Sequence, residues 1–126
     1  MLGKLFSVLV YVKVSKNRFQ VRCIDNKKEI TVFAIKPFTT KRLLVGDFNV
    51  AEQYLKEGIN KVHEGRWISA SPAVVIQPLE MIEEGLSPVE ERLFRELTAG
   101  AGARRMAVWV GHELSDPEVI QHAKNV

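Results

Sequence analysis

The first third of the chain alternates between apolar and polar positions, which is the pattern of β-strands. Apolar residues occupy every second position from Phe6 to Val14, and further apolar residues stand between them. Apolar residues on both faces are typical of a strand in the centre of a sheet. Two more alternating stretches, at 19–24 and 29–35, each follow a short polar turn. Residues 1–36 are therefore predicted to form an antiparallel meander of three strands.

In the middle of the chain, apolar residues recur every three to four positions, which predicts a helix over residues 49–64. The stripe that should face the sheet contains Ala51, Leu55 and Val62. Asn49 is expected to cap the first turn, because its side chain can accept a hydrogen bond from a free backbone N–H.

Residues 73–110 should form a strand, a helix and a second buried strand. The flanking runs 73–77 and 106–110 are apolar, as expected for buried strands. Between them, Ser87 and Glu90 have the spacing of a capping box and open a helix that a glycine-rich turn would end. The apolar stripe of this helix is expected to contain Val89, Leu93, Phe94 and Leu97.

The predicted order of elements is β-β-β-α-β-α-β. Two strands joined by a helix run parallel in a right-handed crossover, while the meander is antiparallel. These connections give an α/β fold with a mixed five-stranded sheet, in the order 3-2-1-4-5, and helices packed on it. This arrangement resembles the ribonuclease H-like fold, which nucleases and actin-like proteins share, so the fold alone does not select a function. We predict a single domain over residues 1–126, with a tail at 111–126 that contains no more than a turn of helix up to His122.

The composition is that of an ordinary globular domain, with 126 residues of which 46% are hydrophobic and 26% charged. No apolar run approaches the roughly 18 residues that a membrane-spanning helix needs. Cys23 is the single cysteine and cannot form an internal disulfide, which favours a reducing compartment. We therefore expect a cytoplasmic protein.

Positive charge is concentrated in the first 50 residues, which contain ten Lys and Arg against three Asp and Glu, although the net charge is only +3. One interpretation is a solvated face of the first strands. The other is a contact surface for an acidic partner, such as a membrane, a nucleic acid or a protein. The candidate contact residues are Lys13, Lys16, Arg18, Arg22, Lys27 and Lys28, with Trp67 as an exposed aromatic anchor.

Three short motifs go beyond the order of elements. Residues 47–63 begin with D-F-N-V-A-E and end with K-V-H, residues 89–92 read V-E-E-R, and residues 100–104 read G-A-G-A-R. In this order, the motifs resemble the first domain of the MreB-like bacterial actin homologues, the rod shape-determining protein family. The resemblance implies an actin-like domain, a relation to the cytoskeleton and cell shape, and function through protein–protein contacts.

The chain departs from this family at the place where the family holds nucleotide. Actin-like ATPases wrap the phosphates in an Asp-x-Gly-Thr turn between the first two strands. Residues 1–24 contain no Asp-x-Gly, and residues 8–14 continue as an uninterrupted strand. The resemblance without its phosphate loop implies a protein that does not hydrolyse ATP. We therefore expect no enzyme activity, no cofactor and no small-molecule substrate.

No other stretch indicates catalysis or metal binding. The predicted first strand lacks the carboxylate that a two-metal nuclease of the ribonuclease H type requires. The three histidines and Cys23 do not have the spacing of metal ligands. The G-A-G-A turn follows a helix and lacks the Lys-Ser/Thr ending of a P-loop. We therefore assign no catalytic, cofactor-binding or metal-binding residue.

The leading hypothesis is thus a non-enzymatic MreB-like interaction module. Its partner would be a second copy of the chain or a full-length actin-like filament protein, and the edge strand 29–35 is a candidate for pairing. Residues 1–6 are similar to the amphipathic start with which some MreB proteins touch the inner membrane, so peripheral membrane contact is a further possibility. The alternative is a basic protein that binds nucleic acid or another anionic surface through its N-terminal strands, with nucleic acid the less expected partner.

Overall fold

The computed structural model describes residues 8–63 and 71–126. Predictions that concern residues 1–6 or Trp67 lie outside these ranges. Among the described residues, no helix is long and apolar enough to cross a membrane. The helices and strands are β1 (Leu9–Ser15), β2 (Arg18–Cys23), β3 (Glu29–Phe33), α1 (Phe48–Val62), β4 (Ala73–Pro78), α2 (Pro88–Gly100), β5 (Arg105–Val108) and α3 (Asp116–Lys124).

The five strands form one mixed sheet in the order β3-β2-β1-β4-β5. β1 pairs antiparallel with β2 and parallel with β4, while β2 and β3 are antiparallel and β4 and β5 are parallel. The predicted strand order is therefore confirmed. β1 takes the central place because its apolar residues can be buried on both faces of the sheet.

Helices α1 and α2 pack on one face of the sheet and enclose the larger core. The side chains of Val10, Val12 and Val14 of β1 are fully buried there. Phe19 of β2 stacks on Phe38, with 4.8 Å between the ring centroids. This stack holds the loop between β3 and α1 against the sheet.

The other face of the sheet is partly covered by the C-terminal segment, residues 111–126. The sequence predicted a tail with no more than a turn of helix up to His122, whereas the structure contains the nine-residue helix α3. A smaller core forms between this segment and the sheet from the buried residues Tyr11, Ile24, Val75, Leu114 and Val119.

Helix α1 is capped by Asp47, whose carboxylate accepts a hydrogen bond from the backbone N–H of Val50 at 3.3 Å. The predicted cap at Asn49 is wrong, because Asn49 already lies within the first helical turn. The predicted buried stripe is confirmed and consists of Ala51, Leu55 and Val62.

Helix α2 begins with the predicted capping box. The Glu90 N–H donates to the Ser87 hydroxyl at 3.2 Å, and the Ser87 N–H donates to the Glu90 carboxylate at 2.9 Å. The predicted stripe is wrong at Val89, which is 76% exposed, whereas Phe94 and Leu97 are buried. Residues spaced by four drift about 40° around a helix at each step, so Val89 has turned away from the face that Leu97 occupies.

Strand β5 is less buried than predicted. Its first residue, Arg105, is exposed, and Met106, Ala107 and Val108 are only half-buried. The reason is its position, because an edge strand has a neighbour on one side only.

Candidate functional site

The carboxyl ends of the parallel strands β1, β4 and β5 mark the edge where open α/β sheets bind their ligands. At the end of β1, the two-residue turn Lys16-Asn17 leads directly into β2. The backbone N–H of Lys16 donates to the carboxylate of Glu80 at 2.7 Å. A phosphate cradle requires several free N–H groups, whereas this amide is already bound to an anionic group of the same chain.

Asn17 fastens the loop between β3 and α1 to this turn. Its side-chain oxygen accepts the backbone N–H groups of Phe38 and Thr39, both at 2.8 Å. Its own N–H donates to the Thr39 hydroxyl at 2.9 Å. Asn17 has a φ of 54°, a left-handed conformation that asparagine adopts more readily than most residues. The turn therefore positions a loop, and its polar groups are used for that purpose.

A buried polar network joins the sheet to the C-terminal segment. The Tyr11 hydroxyl donates to the side-chain carbonyl of Gln77 and accepts the Leu114 N–H at 3.0 Å. The Gln77 amide donates to the Gly111 carbonyl at 2.8 Å. Burial raises the pKa of Tyr11. Since both side chains find their partners within the fold, the network holds the C-terminal segment in place.

The C-terminal segment also engages three of the six candidate basic residues. Lys13 Nζ lies 2.9 Å from the Glu113 carboxylate. Arg22 and Lys27 both contact the Asp116 carboxylate, at 2.8 and 2.9 Å. Hydrogen bonds from Arg22, which has the larger effect, and from Lys27 hold the pKa of Asp116 well below its usual range. Much of the positive charge on the first strands is therefore balanced by acidic residues about 90 positions later in the chain.

The other three candidate basic residues remain exposed. Lys16, Arg18 and Lys28 form no salt bridge with any residue in the described ranges. Lys16 and Arg18 lie at one end of β2, and Lys28 lies at the other end, roughly 17 Å away at 3.3 Å per residue. The candidate residues are thus not gathered into one free basic patch on the part of the molecule that is described. Trp67, the proposed aromatic anchor, lies in the segment 64–70, outside the described residues.

Sequence analysis missed Glu118 as an organising residue of the C-terminal segment. Its carboxylate accepts the backbone N–H of Ser115 at 2.9 Å and lies 2.9 Å from His112 Nε2. These two hydrogen bonds lower the pKa of Glu118 to about 2, and the bond from Ser115 has the larger effect. The signal was present in the sequence, because Ser115 and Glu118 have the same capping spacing as Ser87 and Glu90.

Acidification should weaken the start of α3. The pKa of Glu118 is depressed from 4.5 to about 2 in the fold, so the folded chain binds fewer protons than the unfolded chain. The stability that Glu118 contributes is therefore present above about pH 4.5 and is lost as the pH falls toward 2. We expect the thermal unfolding midpoint to decrease in this window, and to decrease less in Glu118→Gln. Equal pH dependence of the two proteins would contradict this role.

Exposed apolar side chains indicate two surfaces that are free for contact within the described structure. At the β3 edge, Phe33 is 66% exposed and Ile35 is 94% exposed. On α2, Val89 lies beside the half-buried Phe48 and Leu93. Within residues 8–63 and 71–126, no three His, Cys, Asp or Glu side chains are close enough to hold a metal ion.

Comparison with known proteins finds a relative that covers most of the chain. YjaA of Escherichia coli (strain K12), an uncharacterized protein, is 38% identical over 98 residues, which is 74% of this chain and 76% of YjaA. No protein-family model matches the chain.

The chain is also similar to the cell shape-determining protein MreB. MreB of Haemophilus influenzae is 34% identical over 76 residues, and MreB of Escherichia coli (strain K12) is 35% identical over 75 residues. Each match covers 60% of this chain but only 20% of MreB. The expected similarity to MreB is therefore partial.

Proposed function

The chain belongs to the same family as YjaA of Escherichia coli, and from this premise we propose that it is a non-enzymatic interaction module related to the MreB-like, actin-type cytoskeleton. In this proposal the sheet is an actin-like domain of the ribonuclease H type, and it acts in cell shape through protein–protein contact. The similarity to MreB over 60% of the chain supports the relationship. Because the match spans only a fifth of MreB, no activity of the whole MreB protein is carried over.

The non-enzymatic part of the proposal rests on the structure that follows the carboxyl end of β1. A two-residue turn follows the strand, and the amide of Lys16 is occupied by Glu80 at 2.7 Å. A bound phosphate would have to displace this carboxylate and would find no glycine-rich loop around it in residues 8–24. Electrostatic repulsion between Glu80 and a triphosphate adds to this obstacle.

A nucleotide titration tests this part of the proposal. Isothermal calorimetry with ATP and Mg²⁺ should give no saturable heat, because the amide of Lys16 after β1 is already bound to the Glu80 carboxylate. A full-length MreB-like protein under the same buffer conditions serves as the positive control. Saturable micromolar binding of ATP to this chain would overturn the non-enzymatic proposal.

Co-sedimentation tests the partner. We expect the chain to appear in the pellet when filaments of the MreB-like protein from the same cell are present, and to stay in the supernatant without them. The experiment is repeated at increasing ionic strength. Absence from the pellet at every salt concentration would contradict the proposed interaction, whereas a signal that steadily disappears with salt would favour binding through basic residues.

The alternative function, binding of nucleic acid or another anionic surface, has less support from the described contacts. Lys13, Arg22 and Lys27 already form ion pairs with the C-terminal segment. A nucleic-acid surface gains its affinity by neutralising several phosphates at once with neighbouring cations. The three candidate residues without an ion pair in the described ranges are Lys16 and Arg18 at one end of β2 and Lys28 at the other.

A further inference from the structure

Strand β3 is an edge of the sheet, and alternate backbone groups along it point away from β2. The Ala34 N–H donates to the Asn17 carbonyl at 2.9 Å, and the Cys23 N–H donates to the Lys28 carbonyl at 2.8 Å. In an antiparallel pair such bonds recur at every second residue, so the even-numbered residues of β3 face β2. The outward residues are therefore Glu29, Thr31 and Phe33. Their N–H and C=O groups find no partner among the described residues.

The edge also lacks the features that normally prevent strands from associating. Residues 30–35 read I-T-V-F-A-I, an uncharged run of residues that favour strands. Charges and proline stand only outside it, at 28–29 and 36–37. Phe33, the last residue of β3, is 66% exposed. Beyond the strand, the Ile35 side chain is 94% exposed, while the Ile35 N–H donates to the Tyr54 hydroxyl at 3.1 Å. Natural edge strands are often protected by charges, a proline or a bulge, and an uncharged stretch of edge such as 30–33 is a site for strand pairing.

We propose that β3 pairs antiparallel with β3 of a second copy of this chain, so that the two sheets join across a twofold axis. An antiparallel edge is self-complementary, since each outward N–H meets an outward C=O of an identical strand. The twofold axis is perpendicular to the sheet and keeps the same face of both copies on the same side. Outward residues of one copy therefore lie opposite outward residues of the other.

In the register that we infer, Thr31 lies opposite Thr31 of the second copy. In this register Glu29 lies opposite Phe33 of the other copy, and the outward groups of all three residues are paired. Centring the pair one residue later would place Lys28 opposite Lys36, and like charges directly opposite each other are destabilising. Threonine pairs across antiparallel strands are favourable.

The same register gives charge complementarity on the exposed face. Glu29 already contacts Arg22 of its own sheet at 3.5 Å. Arg18 pairs with Phe33 across β2 and β3, so it lies two strands from Glu29 of the second copy, about 10 Å between backbones. Long Arg and Glu side chains can meet over this distance. Each Glu29 thus lies between an arginine of its own copy and an arginine of the other.

This pairing identifies one partner for the proposed interaction module and to that extent rests on the proposed function. The evidence for the pairing is nevertheless separate, because it comes from the edge of β3 and not from the similarity to MreB. A chain that remains monomeric but sediments with filaments would overturn the pairing alone. A chain that pairs with itself but ignores filaments would overturn only the filament interaction.

Thr31→Pro is the sharpest test, because it removes the outward N–H at the centre of the pair and no hydrogen bond to β2. Proline is tolerated on an edge strand where the N–H faces solvent. Sedimentation equilibrium should give twice the monomer mass of 14.3 kDa for the wild type and the monomer mass for Thr31→Pro. Thr31→Val keeps the N–H and should remain paired. A monomeric wild type, or a Thr31→Pro protein that still pairs, would overturn the proposal.

Amide hydrogen exchange provides a second measurement on the unmodified chain. The amides of Thr31 and Phe33 should become protected as the protein concentration rises, while those of Ile30 and Val32 should be protected throughout. Protection of Thr31 that appears only after another protein is added would overturn self-pairing. Should Thr31→Pro not fold, Phe33→Glu places a like charge opposite Glu29 of the second copy without altering the backbone, and it should give the monomer mass. A paired Phe33→Glu protein would count against the proposal.

Discussion

Deleting residues 111–126 should abolish stable folding of the sheet. Leu114 and Val119 would no longer cover the second face, and burial of each such side chain stabilises a protein by about 1.5–3 kcal/mol. Tyr11 and Val75 would become exposed in the same change. The lost free energy of burial is therefore comparable with the total free energy of unfolding of a small domain, about 5–15 kcal/mol.

The control for this deletion is a chain that lacks only residues 125–126, which lie beyond α3. Circular dichroism during thermal unfolding should show a cooperative transition in the control and none in the longer deletion. A long deletion that unfolds cooperatively at the wild-type temperature would show that the C-terminal segment is dispensable for the fold.

Replacing Gln77 by leucine should have the largest effect of any single polar substitution in the described chain. Gln77 is fully buried, and leucine has nearly its volume, so packing is largely kept. The Gly111 carbonyl would lose the amide that donates to it, and the Tyr11 O–H would lose its acceptor. An unpaired buried polar group costs about 1–3 kcal/mol, and the free energy of unfolding should fall by at least that amount.

A double-mutant cycle with Tyr11→Phe tests whether the two side chains act as a unit. Tyr11→Phe alone leaves the Leu114 N–H and the Gln77 oxygen unpaired. The double variant should lose less stability than the two single changes combined, with a coupling of roughly 0.5–3 kcal/mol in urea unfolding. Tyr54→Phe is the matched control, because the Tyr54 hydroxyl accepts only exposed backbone N–H groups. Additive effects at Tyr11 and Gln77 would contradict a shared network.

Local sequence patterns were sufficient to predict those structural features whose signals lie within a few residues of each other. The capping box of α2 was predicted correctly because the side chains of Ser87 and Glu90 each accept the other residue's backbone N–H. These hydrogen bonds do not depend on the rest of the fold. The central place of β1 was also predicted, since apolar residues on both faces can be buried only between two neighbouring strands. The stripe was wrong at Val89, because residues spaced by four drift around the helix and Val89 has turned away from the buried face.

The candidate surface was harder to predict than the fold. The sequence indicated a basic N-terminal half, but it could not indicate that Glu113 and Asp116 lie against Lys13 and Arg22. Those contacts join residues about 100 positions apart, and they exist only because α3 folds back over the sheet. The edge of β3 was anticipated from its sequence, whereas the direction of each backbone group along it required the pairing with β2.

The sequence by itself determined the order of strands and helices up to β5, the connections between them and the absence of an Asp-x-Gly turn after β1. These properties depend on local periodicity, on short capping signals and on the handedness of crossovers. Only the tertiary structure decided which charges remain free, which residues of α2 face solvent and how the C-terminal segment covers the second face. Those features depend on contacts between residues far apart in the chain, whose energies no local pattern contains.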